Sequence, residues 1–276
     1  VYSSPSFHPD GGRLAVVADG ALIEIDVLSG ESAVLVESGV LDCAWYRRGE
    51  ENRLAYSVGQ RFGSADIFLM YEDRDTVQLT ESEDGVACIA PMPSPGANIM
   101  VFTRMPGREG DFGYERLWVF NDVVSAIPYK VASEQHREWD YHESNAVFPF
   151  DDWIIFQRGG WGDWHLYRLD LKTGKEYLEL TDAQQPSVSD GGQYLAFTRR
   201  DYESKLGMEY DWEIDPAVWL WDRGSGVMRR VSRAGRVAQY PAVSPDGERM
   251  AWVEEDYRGE LTVVLRGIAG LVGQFN

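Results

Sequence analysis

Three of the four histidines in this 276-residue chain fall within thirty positions of one another: His136, His142 and His165. His142 is followed directly by Glu143, and Asp163 stands two residues before His165. Two imidazoles and a carboxylate are enough to hold a divalent cation, so His142, His165 and Glu143 form the candidate metal set. No H-x-H or H-x-x-x-H spacing presents the two rings together, and ordinary hydrogen bonding by loop histidines is the competing reading. Apart from such a cation, no cofactor is expected. Nucleophilic catalysis has less to rest on: no Ser or Cys stands beside a His, and no Gly-x-Ser-x-Gly turn occurs. Among 45 acidic residues some carboxylates pair by chance, which leaves glycoside hydrolysis open. Asp201-Tyr202-Glu203 lacks the third ligand and the turn glycine of a calcium loop.

The second chemical pattern is aromatic rings interleaved with carboxylates, in segments 104–116, 133–143, 159–164 and 201–215. Rings stack on the apolar faces of sugars or on cations, while carboxylates accept hydrogen bonds or pair with positive charge. Tyr114, Trp139, Tyr141, His142, Glu143, Trp161, Asp163, Trp164, Tyr210 and Trp212 are therefore the candidate ligand-contacting residues. The bland alternative is that these rings pin long loops onto the scaffold. A net charge of −19 argues against nucleic acid or an anionic membrane as a partner. No apolar run is long enough to span a bilayer. The chain opens at Val1 without Met or a charged-then-apolar leader, so a processed or trimmed chain is expected and export stays open.

The elements that position these residues come from a repeat. Its clearest copy is Tyr240-Pro241-Ala242-Val243-Ser244-Pro245-Asp246-Gly247, followed by Met250-Ala251-Trp252-Val253. Pro245, Asp246 and Gly247 are turn residues, and the second run has strand-forming types. The pattern returns from Ser4-Pro5 to Val17 and from Gln185-Pro186 to Phe197, and more weakly from Pro91 to Phe102. Worn copies start near Cys43 and Asn145. Six units in 276 residues make a period of about 46, in the range of β-propeller blades. Third and fourth strands are legible at 22–27 with 32–36, at 165–171 with 176–180, and at 217–221 with 227–231. Cys43 and Cys88 sit at different repeat positions and read as buried small hydrophobes rather than a disulfide.

The Pro-x-Val/Phe-Ser-Pro-Asp-Gly-x-x-Leu/Met-Ala-Phe/Trp pattern resembles the repeat of TolB-type propellers, which also occurs in the propellers of prolyl-oligopeptidase-like enzymes. The resemblance covers the whole chain, most strongly in the first, fifth and sixth units. It implies an all-β fold: one six-bladed β-propeller of four antiparallel strands per blade, with blades near 1–37, 38–82, 83–133, 134–182, 183–234 and 235–276. The pattern packs blades and carries no chemistry, so it implies neither partnership in a Tol system nor peptidase activity. Trp252, Phe197, Phe102, Phe156 and Trp221 are the expected core, and 271–276 the expected last strand. The ring should close without either terminus lending a strand to the other's blade.

In this strand order the Pro-Asp-Gly turns share a face with the third-to-fourth turns, and both are short. The opposite face carries the four aromatic–acidic segments, and binding on a rigid scaffold usually resides in such loops. The expected function is a non-catalytic recognition propeller, monomeric, periplasmic or extracellular, binding a peptide, protein or glycan on that face. The alternative is a polysaccharide lyase or glycoside hydrolase at the channel mouth. Segment 201–215 holds six carboxylates against Lys205 and should repel itself unless it folds back onto Arg104, Arg108 or Arg158. Salt screens such repulsion, with a Debye length of about 8 Å in physiological buffer and less in brine. Limited proteolysis at rising NaCl is expected to show slower cleavage within 201–215; equal rates at low and high salt would dismiss an electrostatically held lid.

Overall fold

A computed structural model describes residues 2–60, 63–96, 98–106, 115–121, 129–130, 141–160, 163–200 and 216–272. Nearly all regular structure in them is antiparallel strand. The first sheet is β1 (Tyr2–Phe7), β2 (Arg13–Ala18), β3 (Ala21–Asp26) and β4 (Ser32–Val36), ordered as in the chain. The next is eight-stranded. It joins β5 (Val40–Arg48), β6 (Glu51–Gly59), β7 (Ala65–Tyr71) and β8 (Thr76–Gln78) to β9 (Val86–Pro93), β10 (Ile99–Pro106), β11 (Arg116–Asn121) and β12 (Tyr129–Lys130). One parallel pairing, Ala65 with Ala87, stitches the two meanders together. Two further four-stranded sheets follow: β13 (His142–Phe150), β14 (Trp153–Gly160), β15 (Asp163–Asp170) and β16 (Glu176–Leu180), then β17 (Gln184–Val188), β18 (Tyr194–Arg200), β19 (Pro216–Asp222) and β20 (Val227–Arg230). The last sheet has three strands among the described residues: β21 (Val237–Val243), β22 (Arg249–Glu255) and β23 (Leu261–Gly267).

A short helix, α1 (Ile268–Val272), follows β23. It takes up Leu271, where a fourth strand was expected, because Ile268 turns inward and is buried beside Met250 and Trp252. Residues 273–276 lie outside the described residues. The N-terminal strand pairs with β2 as the first strand of its own sheet, so it does not complete the last one.

The first strands β1, β5, β9, β13, β17 and β21 contact one another in that order, and β21 packs back against β1. Apolar clusters fill the gaps between neighbouring sheets, for example Val101, Leu117, Phe156 and Leu169 between the third and fourth meanders. Trp252, Phe197, Phe102 and Phe156 are at most 2% exposed, as the repeat implied, whereas Trp221 is only partly buried. Cys43 and Cys88 are buried and not joined in a disulfide.

The signature prolines acquire a physical reason here. Two residues of the inner strand oppose one on the second strand at Ser4-Pro5, Ala90-Pro91, Asn145-Ala146, Gln185-Pro186 and Tyr240-Pro241. Each is a β-bulge, where the ladder is already broken and proline's missing N–H costs little. Opposite the bulges stand Val16, Phe102, Phe156, Phe197 and Trp252, large side chains that fill the bend. The serine after the proline ties neighbouring sheets together: Trp45 N–H donates to Ser6 Oγ at 2.8 Å, and Val243 N–H to Ser187 Oγ at 2.9 Å. Replacing Phe197 by Ala is expected to cost about 3–5 kcal/mol in urea-unfolding experiments, the usual range for a buried ring lost from a tight core.

Candidate functional site

The bulges put unusual backbone on the axis. Ala90, Asn145, Gln185 and Tyr240 have φ between 50° and 54°, the left-handed region that costs non-glycine residues about 1–2 kcal/mol each. Such strain persists where the surroundings impose it, and functional sites often do so. All four line a chamber of about 290 Å³, together with Asp42, Thr103 and Gln157. A second chamber of about 180 Å³ opens toward the tight-turn face and is lined by Trp45, Arg47, Phe148 and Asp190. Pro5, Cys43, Met92, Val147 and Ser187 border both, so the chambers are two halves of one axial channel.

Amides wire the larger chamber together. Gln157 Nε2 donates to Ser144 Oγ at 3.0 Å, while its Oε1 accepts the Gln185 N–H at 2.8 Å. Gln185 Oε1 in turn accepts from Thr198 Oγ1 at 2.9 Å and from the Tyr240 N–H at 3.1 Å. Two N–H groups that the bulges turn out of the ladder are thus satisfied by side chains, and three sheets are joined in one network. Thr103 is fully buried, and its hydroxyl has no hydrogen-bond partner among the described residues. The described lining holds one carboxylate, Asp42, and no Lys or Arg. It is a chamber of neutral donors and acceptors with a slight negative bias.

The candidates from the sequence divide. Tyr114, Trp139, Trp161, Tyr210 and Trp212 lie outside the described residues, as do His136 and Arg108. Trp164 borders the larger chamber and lies 6.2 Å, ring to ring, from His142. Tyr141 is exposed just before β13. The suggested metal set is not brought together. His142 shares a row of the sheet with Gly159 and Trp164, and Glu143 shares the next with Arg158 and His165. Neighbouring rows send side chains to opposite faces, which parts the two imidazoles. His142 Nδ1 accepts the Glu115 N–H at 3.4 Å, and His165 Nδ1 accepts the Asp182 N–H at 3.1 Å, with Asp163 3.5 Å from its Nε2. Among the described residues no three His, Cys, Asp or Glu side chains gather closely enough to hold a metal ion.

Glu143 is instead part of a buried ion triad. Arg158, only 5% exposed, bonds Glu143 through Nε and Nη2 and Glu176 through Nη1 and Nη2, at 2.8–3.0 Å. Its guanidinium also lies over Phe156 and Tyr167. All three nitrogens are therefore engaged, which removes Arg158 from the arginines expected to hold segment 201–215; Arg104 covers Trp118. Near Trp164, burial lifts the Asp182 carboxyl above its ordinary range despite the opposing pull of Arg199, Arg200 and His165. Neither the bulge network nor the triad was picked out from sequence. The signal for the first was present, since the residue before each signature proline always occupies the same position. The triad joins positions 143, 158 and 176, which only strand register brings together.

With this geometry in place, comparison with known proteins is informative about fold. No family model matches the chain. A structure from Agrobacterium tumefaciens assigned to TolB superposes with a TM-score of 0.65 at 16% identity, covering 97% of this chain and 90% of that one. TolB from Acinetobacter baumannii gives 0.66 at 17% identity, over 95% and 60% of the two chains. The fold is a TolB-like β-propeller. An oligogalacturonate lyase solved with manganese matches less closely, with a TM-score of 0.58 at 14% identity over 95% of this chain and 75% of the lyase. In sequence, dipeptidyl-peptidase 5 of Porphyromonas gingivalis is 24% identical over 178 residues, which are 60% of this chain and 23% of the peptidase. The chain therefore spans less than a quarter of that relative's length.

Replacing Arg158 by Met is expected to destabilise the fold by about 3–5 kcal/mol at neutral pH, because two partly buried carboxylates lose their buried counter-charge. Thermal melts of both proteins at neutral pH measure it; an unchanged melting temperature would mean the guanidinium contributes nothing to holding the two carboxylates.

Proposed function

We propose that this propeller is a non-catalytic recognition module that takes a neutral or cationic protruding segment of a partner protein, a loop or a terminus, into the mouth of its axial channel. The observation carrying this reading is the larger chamber: about 290 Å³, ringed by strained bulges, lined by amides and hydroxyls with Asp42 as the described carboxylate, and without a described Lys or Arg. Amide donors and acceptors suit peptide groups, and the buried Thr103 hydroxyl is poised to pair with an entering polar atom. The lining disfavours the anionic sugar acids that the name of the lyase neighbour implies. Asp42 and the overall charge of −19 favour a positive or neutral ligand.

In this reading the chain forms one ring of six blades, with the blade ranges given above. The support is the closed order of contacts among the six inner strands and the split of the eight-stranded sheet into two meanders. Tyr114, Trp139, Trp161, Tyr210 and Trp212 would extend the rim with aromatic contacts, and an exported location, periplasmic or extracellular, accords with the TolB-like fold.

Trp164 at the rim supplies the readout. Titration with short peptides of defined charge is expected to change its fluorescence for neutral and basic sequences and not for acidic ones. Thr103→Val should weaken binding by roughly three- to ten-fold, the worth of one hydrogen bond, without lowering the melting temperature. Turnover of oligogalacturonate, or tight binding of acidic oligosaccharides with no response to basic peptides, would overturn the reading in favour of a lyase.

A further inference from the structure

The three-stranded sheet differs from its sisters in a way that specifies a partner. Val263, on β23, lies opposite Val253 of β22. The same position in the other sheets is held by Leu22, Ile67, Leu117, Leu166 and Val218, each at most 1% exposed. Val263 is only partly buried. In four sister sheets an aliphatic residue of the outer strand, or the one directly after it, meets this position: Val36 pairs with Leu22, Leu180 with Leu166, and the Leu79 and Val231 N–H groups donate to the Ile67 and Val218 carbonyls. Among the described residues no strand lies outside β23.

The backbone of that edge is ordered for pairing. The Asp256 N–H donates to the Glu260 carbonyl at 3.0 Å, which makes these two a hydrogen-bonded pair. By alternation, Thr262, Val264 and Arg266 then turn their backbone groups toward β22, and Leu261, Val263 and Leu265 turn theirs away. Ile67 and Val218 do the same, and their outer strands answer them. The edge runs about 24 Å, is rich in β-branched and aliphatic residues, and has neither a proline nor a bulge to blunt it.

We propose that the edge is completed by β23 of a second copy of this chain, antiparallel about a two-fold axis through Val263. In that register Val263 meets its own counterpart, supplying the aliphatic cover that Val36, Leu79, Leu180 and Val231 supply elsewhere. Leu261 falls opposite Leu265 of the second copy, and exposed Glu260 falls opposite exposed Arg266, each pair occurring twice. The outward-facing residues of one strand thus meet the outward-facing residues of the other, and opposite charges meet at both ends. A single strand edge buries less surface than a permanent dimer needs, so the association is a concentration-dependent equilibrium. This departs from the monomer expected from sequence, and it does not depend on what the channel binds.

Sedimentation equilibrium of the full chain over a wide concentration range tests it. A monomer–dimer equilibrium is expected. Glu260→Arg alone and Arg266→Glu alone should each weaken it roughly ten-fold or more by setting like charges opposite one another. Mixing the two single variants should restore a heterodimer, and the double reversal should restore the homodimer. Both side chains are exposed, and unchanged melting curves will show that the variants fold. A strictly monomeric protein, whether its edge is covered by residues 273–276, by another protein or by nothing, overturns the proposal. So does a dimer indifferent to both charge reversals.

Discussion

The constraint on which this structure depends is the bulge in the inner strand of each sheet. A regular ladder would run straight past the axis; one extra residue bends the strand and increases its local twist. The bend leaves space on the second strand, and Phe102, Phe156, Phe197 and Trp252 fill it while remaining at most 2% exposed. Proline is tolerated as the second bulge residue because no partner awaits its N–H. At Ala90, Gln185 and Tyr240 the residue before it has positive φ and lines the channel. Packing of the blade and lining of the channel are therefore one event: the ring that stabilises the sheet also creates the strained backbone on the axis.

The polar interior follows from the same cause. A bulge releases N–H groups from the ladder, and burying them unpaired is costly. Gln157 and Gln185 answer two of them across sheet boundaries. The solution is specific rather than repeated, since Thr103 at the equivalent position of the third meander has a hydroxyl without a partner among the described residues. Charge is handled separately. Arg158, Glu143 and Glu176 neutralise one another against Phe156 and Tyr167, away from the axis. The larger chamber consequently has one carboxylate, Asp42, and no Lys or Arg in its described lining, although the protein as a whole is strongly acidic.

The inner and outer strands of the sheet series solve different problems. Contacts of β21 with β1 bring the two ends of the sheet series together on the inside, where burial is greatest. On the outside the last sheet needs no fourth strand to hold the core, because Trp252 and Met250 are already covered by β19 and α1 residues. Among the described residues, what remains uncovered there is the outer edge of β23 and the partly buried Val263.

Periodicity determined the architecture from sequence alone. A 46-residue recurrence of Pro, Pro-Asp-Gly and a following aromatic reads as strands, turns and core because turn chemistry and side-chain alternation are local properties. Phe102, Phe156, Phe197 and Trp252 could be named as core for that reason. Local pattern could not say which distant side chains meet. Glu143 looked like a metal ligand beside His142 and His165, yet adjacent rows of one sheet face opposite ways, and register gave Glu143 to Arg158. Nor could it show that the first bulge residue turns left-handed at Ala90, Asn145, Gln185 and Tyr240, which share no chemistry. The cause is the tertiary bend, not the residue. The same holds for residues 268–272, where Ile268 finds a buried seat beside Met250 and the chain forms a turn of helix.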